Sequence, residues 1–379
     1  MAARSLVSPE DQSVTFVELF FDLVFVFAIT QIVGLLHGEL GARPVGEAVL
    51  VFWLVWWAWT QFTWALNAAD TTHPGIQFTT LVATGVAFFL ATSLPGAFGE
   101  RVLWFAVPYV AVRAIGLTLY ARVASAIGPE QRAAVGTFSM VSLGGLVAVL
   151  AGAVAGGDTQ YWLWGMAIFL DVVAAGVGGQ AGGWDLHPGH FVERHGLIVI
   201  IALGESLIVA GGLVDRVWDT STLAVGIAAV AVTCGLWWTY FVRAKPRADQ
   251  AVESMHGTRL TKAARDAFSL MHFPMLCGII AYAVAVETAL AHAHDPLHLD
   301  ARIALALGLL LFVGGMALVV RRATGSWMVP RLVCVGAAAI GVIAVGGVSP
   351  LVTLAIALAG VAAVAVLEHS TQDVHSEIG

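Results

Sequence analysis

Apolar residues run through this chain in long unbroken blocks. They do not follow the i, i+3, i+4 stripe of a helix with one face in water. Twelve blocks stand out: 16–36, 46–66, 76–94, 102–122, 134–155, 161–178, 195–214, 222–242, 267–291, 303–320, 329–347 and 350–366. At 1.5 Å per residue, a helix of about 20 residues crosses the roughly 30 Å hydrocarbon layer. The pattern therefore predicts an all-α polytopic membrane protein of about twelve transmembrane helices. Only Gly347, Val348 and Ser349 separate the last two blocks before Pro350, so these are expected to form a tight helical hairpin.

Composition agrees with that solvent. Of 379 residues, 59% are hydrophobic and 11% charged, against about 25% charged in soluble domains. The polar residues 1–15 lead into a first block that carries Glu18 and Asp22, so the segment reads as a retained span and not as a cleaved signal. Cys234, Cys277 and Cys334 all fall inside apolar blocks, which argues against a disulfide framework. No basic tract or zinc spacing points to nucleic acid, and no cofactor fingerprint is present. The partners expected from the sequence are the lipid bilayer and a small solute or ion. A homo-oligomer is compatible with it.

Charge sets the orientation. With the N-terminus in the cytoplasm, thirteen of the eighteen Lys and Arg fall on cytoplasmic segments and four on outer ones, with Arg113 inside the fourth block. That is the positive-inside bias, and an even number of spans puts both termini in the cytoplasm of a multi-pass cell-membrane protein. The most basic connection, 243–266, reads as the longest cytoplasmic loop.

An internal repeat is also visible. Phe16-Val17-Glu18 opens the first block and Phe191-Val192-Glu193 opens the seventh. Trp56-Trp57 in the second block is matched by Trp237-Trp238 in the eighth. Both matches are six spans apart, and six is even, so the repeats are parallel. The expected organisation is a cytoplasmic segment 1–15, a first six-span repeat 16–178, a linker 179–194, a second repeat 195–366 and a cytoplasmic tail 367–379. The tryptophan pairs read as packing between repeats.

Two stretches carry a family resemblance: Glu18-Leu19-Phe20-Phe21-Asp22-Leu23-Val24-Phe25-Val26-Phe27-Ala28-Ile29-Thr30-Gln31, and Glu193 through Ser206 with its Leu203-Gly204-Glu205-Ser206 end. With the tryptophan pairs they resemble the bacterial low temperature requirement protein A (LtrA) family over nearly the whole chain. The resemblance implies a multi-pass bacterial membrane protein linked to growth in the cold, and brings no reaction or substrate. The first block is also similar to the first-helix signature of potassium channels built from six-span repeats. Here Phe21 replaces that signature's Ser, Phe16 replaces its Arg, and the seventh block has no Phe-Asp pair. What this second likeness implies is a shared six-span unit.

Ionisable groups inside spans are costly and need a reason, whether a helix-locking pair or a functional site. Glu18 and Asp22 share a helix face and suit a proton or cation, or a pair with Arg113. Arg194 and Glu205 lie three turns apart on the seventh span. Glu205 sits near mid-bilayer beside Gly204, where a helix or ligand could approach closely. His190, Glu193 and His272 form a candidate metal set. The leading expectation is a transporter or channel-like protein. Its route would lie between the repeats, with Glu205, Asp22, Glu18, Glu193, Arg113 and Arg194 handling protons or cations. An intramembrane enzyme acting on lipid through His190, Glu193 and His272 is the alternative, followed by a non-catalytic scaffold. No recognised catalytic motif supports the enzyme.

Overall fold

The computed structural model describes residues 5–9, 12–36, 40–178, 184, 186–211 and 219–376. Each of the twelve apolar blocks forms a helix over most of its described residues. In order they are α1 (Phe16–Leu35), α2 (Ala42–Asn67), α3 (Pro74–Ser93), α4 (Val102–Ile127), α5 (Pro129–Ala155), α6 (Gly157–Gly178), α7 (Pro188–Gly211) and α8 (Thr220–Trp238), followed by α11 (His272–Ala291), α12 (Leu299–Thr324), α13 (Val329–Ala344) and α14 (Pro350–Ser376). The predicted end of the seventh block, 212–214, lies outside the described residues, as does most of 179–185. Among the described residues, ten helices are long and apolar enough to cross a membrane. Helix α13 has only 16 residues, and α7 carries Glu193, Arg194 and Glu205.

The stretch 243–266 is not the loop that its polarity suggested. A π-helical segment, Thr239–Ala244, continues α8 into α9 (Lys245–Glu253). Then α10 (Gly257–Ala263) runs through a second π-helical segment, Ala264–Leu270, to α11. Basic side chains are good helix formers, so charge alone does not mark a loop.

The chain divides into two compact units. The first comprises Met1–Leu35, Ala42–Ile198 and Val252–Arg265; the second comprises Leu36–Gly41, Val199–Ala251 and Asp266–Gly379. In the first, α1 packs on α2 and α3, α2 on α4 and α6, and α3 through α6 pack in sequence. In the second, α11 through α14 pack in sequence, α8 packs on α14, and the π segment after α8 touches α12. Helices α11 and α12 meet backbone to backbone. A Cβ at Gly278 would stand 2.6 Å from the Phe312 nitrogen, and one at Gly308 2.9 Å from that of Tyr282. Close contact through small residues is how helices associate where lipid removes the hydrophobic drive.

Burial is inverted relative to a water-soluble fold. Phe16, Trp104 and Trp162 are 90%, 72% and 80% exposed, while Glu18, Asp22, Arg113, Asp171 and Arg194 are buried. Polar groups inside and bare aromatics outside suit a hydrocarbon solvent. Trp56 and Trp57 are buried, whereas Trp237 and Trp238 are about half exposed. The three cysteines are free, with Cys234 exposed.

Candidate functional site

The first unit gathers four ionisable side chains at the start of α1 and α7. Glu18 and Asp22 are one turn apart on α1, and both are fully buried. On α7, His190 and Arg194 have the same spacing and meet them. His190 Nε2 lies 3.0 Å from Glu18 Oε1. Arg194 donates to Asp22 Oδ1, and its Nη1 stands 3.4 Å from Glu18. Trp59 of α2 donates to the same Asp22 oxygen at 2.7 Å, and its ring lies under the Arg194 guanidinium at 5.5 Å. His195 meets that indole edge-on at 5.1 Å.

The chain just before α1 caps the cluster. The Thr15 backbone and hydroxyl donate to Glu18 at 3.0 and 2.9 Å. A carboxylate in the first turn is also favoured by the helix dipole. Val14 N–H donates to Glu193 at 3.3 Å. Gln12 is tied to the end of α2, donating to the Leu66 carbonyl and accepting from Thr71 N–H. Further back, Val7 and Ala69 form an isolated antiparallel bridge.

A second buried centre in the same unit is built differently. Arg113 of α4 donates to Asp171 of α6 at 3.0 Å and to Tyr109 Oη at 2.8 Å. It also donates from Nε to Gln61 Oε1. Gln61 in turn donates to the Arg113 carbonyl at 2.9 Å. Arg113 is thus the partner of Asp171 and not of Asp22, whose guanidinium is Arg194. Sequence spacing could not choose between two arginines on different spans.

The remaining candidates fall elsewhere. Glu193 is exposed, although it lies one turn from buried His190. Glu205 is buried in the part of α7 that belongs to the second unit. Among the described residues, nothing would stand within 4 Å of a Cβ on Gly204, so no other helix packs closely there. His272 belongs to the second unit, where its Nδ1 donates to the Ala267 carbonyl and its Nε2 accepts from Tyr240 Oη, both at 3.0 Å. Among the described residues, no three His, Cys, Asp or Glu are grouped to hold a metal. Sequence reasoning missed Trp59, Gln61 and Tyr109 as members of these centres. A polar or aromatic residue inside an apolar span was the available signal.

The profile of the bacterial low temperature requirement A protein (LtrA) matches residues 13–366. The chain belongs to the LtrA family. It is also 29% identical over 313 residues to an uncharacterized protein of Rhizobium meliloti (strain 1021), covering 79% of this chain and 75% of that one. No solved structure matches the chain. LtrA membership and the apolar helices fit a membrane protein. The match includes both stretches that carried the resemblance, and with them the four residues of the Arg194 cluster.

Proposed function

We propose that this LtrA-family chain moves a proton or small cation across the membrane as a transporter or channel-like protein. The Glu18–Asp22–His190–Arg194 cluster is its ion-handling site. The observation that carries this is a charge imbalance under full burial. Two carboxylates face one guanidinium, with an imidazole as the fourth member. A buried group that only locks helices does best as a closed, one-to-one pair, because leftover charge in hydrocarbon is expensive. A site that loads and releases an ion must instead be able to change its charge. Glu205 is a second intramembrane carboxylate for the same traffic.

The reading includes twelve spans in two parallel repeats with both termini cytoplasmic. The basic-residue bias supports the orientation. Helix pairing supports the repeat: α2/α6, α3/α4, α4/α5 and α5/α6 of the first unit correspond, six spans on, to α8/α14, α11/α12, α12/α13 and α13/α14 of the second.

The test is ion flux in liposomes reconstituted with purified protein, with a pH gradient and a panel of monovalent cations. Wild type is expected to dissipate one of these gradients, and Asp22→Asn to fall at least tenfold below it. Wild-type vesicles no leakier than empty ones, under every gradient, would rule transport out. Restored growth of a cold-sensitive deletion strain by wild type, but not by Asp22→Asn, is the cellular counterpart.

A further inference from the structure

Asn67, the last residue of α2, stands beside this cluster. Its side-chain amide is pinned at both ends by one backbone unit. His187 N–H donates to Asn67 Oδ1 at 2.9 Å, and Asn67 Nδ2 donates to the His187 carbonyl at 2.9 Å. A backbone N–H needs an acceptor and a carbonyl needs a donor, so the amide cannot be flipped. The other hydrogen on Nδ2 then points at His190 Nδ1, 3.2 Å away. Two donors cannot share that contact, so His190 Nδ1 carries no proton. Its proton sits on Nε2, which faces Glu18. A doubly protonated imidazolium would set N–H against N–H.

From this we infer that Asn67 holds His190 neutral and thereby directs the proton taken up by the cluster to Asp22 Oδ2. The inference concerns the site proposed above for transport and names the group that loads. Glu18 is the poorer acceptor. Its carboxylate receives Thr15 N–H, Thr15 O–H and His190, in the first turn of α1, and donors to a charged form favour that form. Asp22 receives two donors, Trp59 and Arg194, both on Oδ1; its buried Oδ2 has no hydrogen-bond partner, and neither has Glu18 Oε1, so what separates them is three donors on Glu18 against two on Asp22. The charged groups facing Asp22 are Glu18 on its own helix and Arg194 on α7, with neutral His190 beyond. Helix α2 presents Trp59, and α3, which also packs on α1, has no titratable residue.

The step balances simply. A proton joins the Asp22 carboxylate at Oδ2 and makes the neutral acid, with the Trp59 bond at Oδ1 kept. Arg194 stays protonated throughout. Its Nη1, 3.4 Å from Glu18, then closes on the carboxylate that is still charged. Loading thus moves the arginine from Asp22 to Glu18, which is a mechanical output for one proton.

Infrared and 15N-histidine spectra of the full chain in lipid nanodiscs test this without any flux measurement. On acidification a protonated-carboxyl band should appear in wild type and in Glu18→Gln, and be lost in Asp22→Asn. His190 Nδ1 should stay unprotonated while the band grows. Asn67→Asp puts an acceptor beside Nδ1. His190 should then become doubly protonated, and the Asp22 band should disappear at the same pH. A band indifferent to Asp22→Asn, or a wild-type His190 protonated on both nitrogens before the band appears, overturns the inference. So does a folded Asn67→Asp protein with an unchanged His190. If Asn67→Asp does not fold, the wild-type, Glu18→Gln and Asp22→Asn spectra decide alone. Displacement of the band by sodium or potassium at constant pH would mean that the site takes a metal cation instead. Spectra as expected in a protein without flux would remove the transport role and leave this proton site standing.

Discussion

Arg113 and Arg194 are equally buried in the same unit, yet they are solved in opposite ways. Around Arg113 the accounts close: one guanidinium, one carboxylate from Asp171, and neutral partners in Gln61 and Tyr109. Around Arg194 they do not, because Glu18 and Asp22 compete for one cation and one oxygen of each carboxylate is left over. Burial therefore does not tell the two centres apart, and completeness does. A matched pair with every donor used resists change in charge, whereas a two-for-one cluster has a second arrangement available to it.

The comparison breaks most visibly if the closed centre is opened. Arg113→Met leaves the Asp171 carboxylate buried without its cation, a loss of about 3–5 kcal/mol for breaking such a pair. The expected result is a collapse in monodisperse yield and in thermal midpoint. The double variant Arg113→Met/Asp171→Leu removes both charges and should recover most of that stability, with flux within about twofold of wild type. A double variant that folds but has lost flux would show that Arg113 does more than hold α4 to α6.

Asp22→Asn sharpens the same contrast from the other side. It imitates the protonated acid in shape and leaves Arg194 with Glu18, so the thermal midpoint should change little while flux falls at least tenfold. Melting curves and liposome flux on one preparation separate the two quantities. A large drop in midpoint with residual flux in proportion to folded protein would make the Arg194 cluster structural after all.

The helices of both units were legible in the sequence because hydrocarbon demands long apolar blocks and leaves few alternatives. The pairing of charges was not. Asp22 and Glu18 announce themselves as carboxylates in an apolar run, but whether they meet Arg113 or Arg194 depends on which helices pack, and no spacing within a helix carries that. Asn67 was invisible for the same reason, since its role exists only through the backbone of His187. The π segments at Thr239–Ala244 and Ala264–Leu270 escaped because an added residue per turn leaves no compositional mark. Trp237 and Trp238 match Trp56 and Trp57 in sequence but not in burial, so like residues do not by themselves mean like surroundings.

Glu205 extends the contrast to the second unit. It is buried on α7 in a run that is otherwise apolar. Glu205→Gln keeps size and hydrogen-bonding reach and removes only the ionisation. Normal membrane yield with flux reduced severalfold is expected, a smaller effect than at Asp22. Full flux in this variant would remove Glu205 from ion handling, and loss of yield would class it with Asp171.

The smallest effect belongs to an exposed pair, which sets the scale for the buried ones. Asp219 caps α8, accepting Thr222 N–H at 2.9 Å, and lies 2.8 Å from His294, with side chains 39% and 64% exposed. The Thr222 N–H, helped by His294, holds the Asp219 carboxyl down at about 2. An acid whose folded value is depressed stabilises the protein above its unfolded value of about 3.9, and that contribution fades as pH falls towards 2. At neutral pH the ionised cap is therefore fully in place. Asn is as good an N-cap as Asp, so Asp219→Asn keeps the cap bond and removes only the charge, which water screens well here. Its thermal midpoint at pH 7 should lie within about one degree of wild type, and 0.5 M salt should narrow the gap further. A drop of many degrees at this exposed site would mean that charge pairing counts equally inside and outside the protein, and the distinction between the Arg113 and Arg194 centres would lose its physical basis.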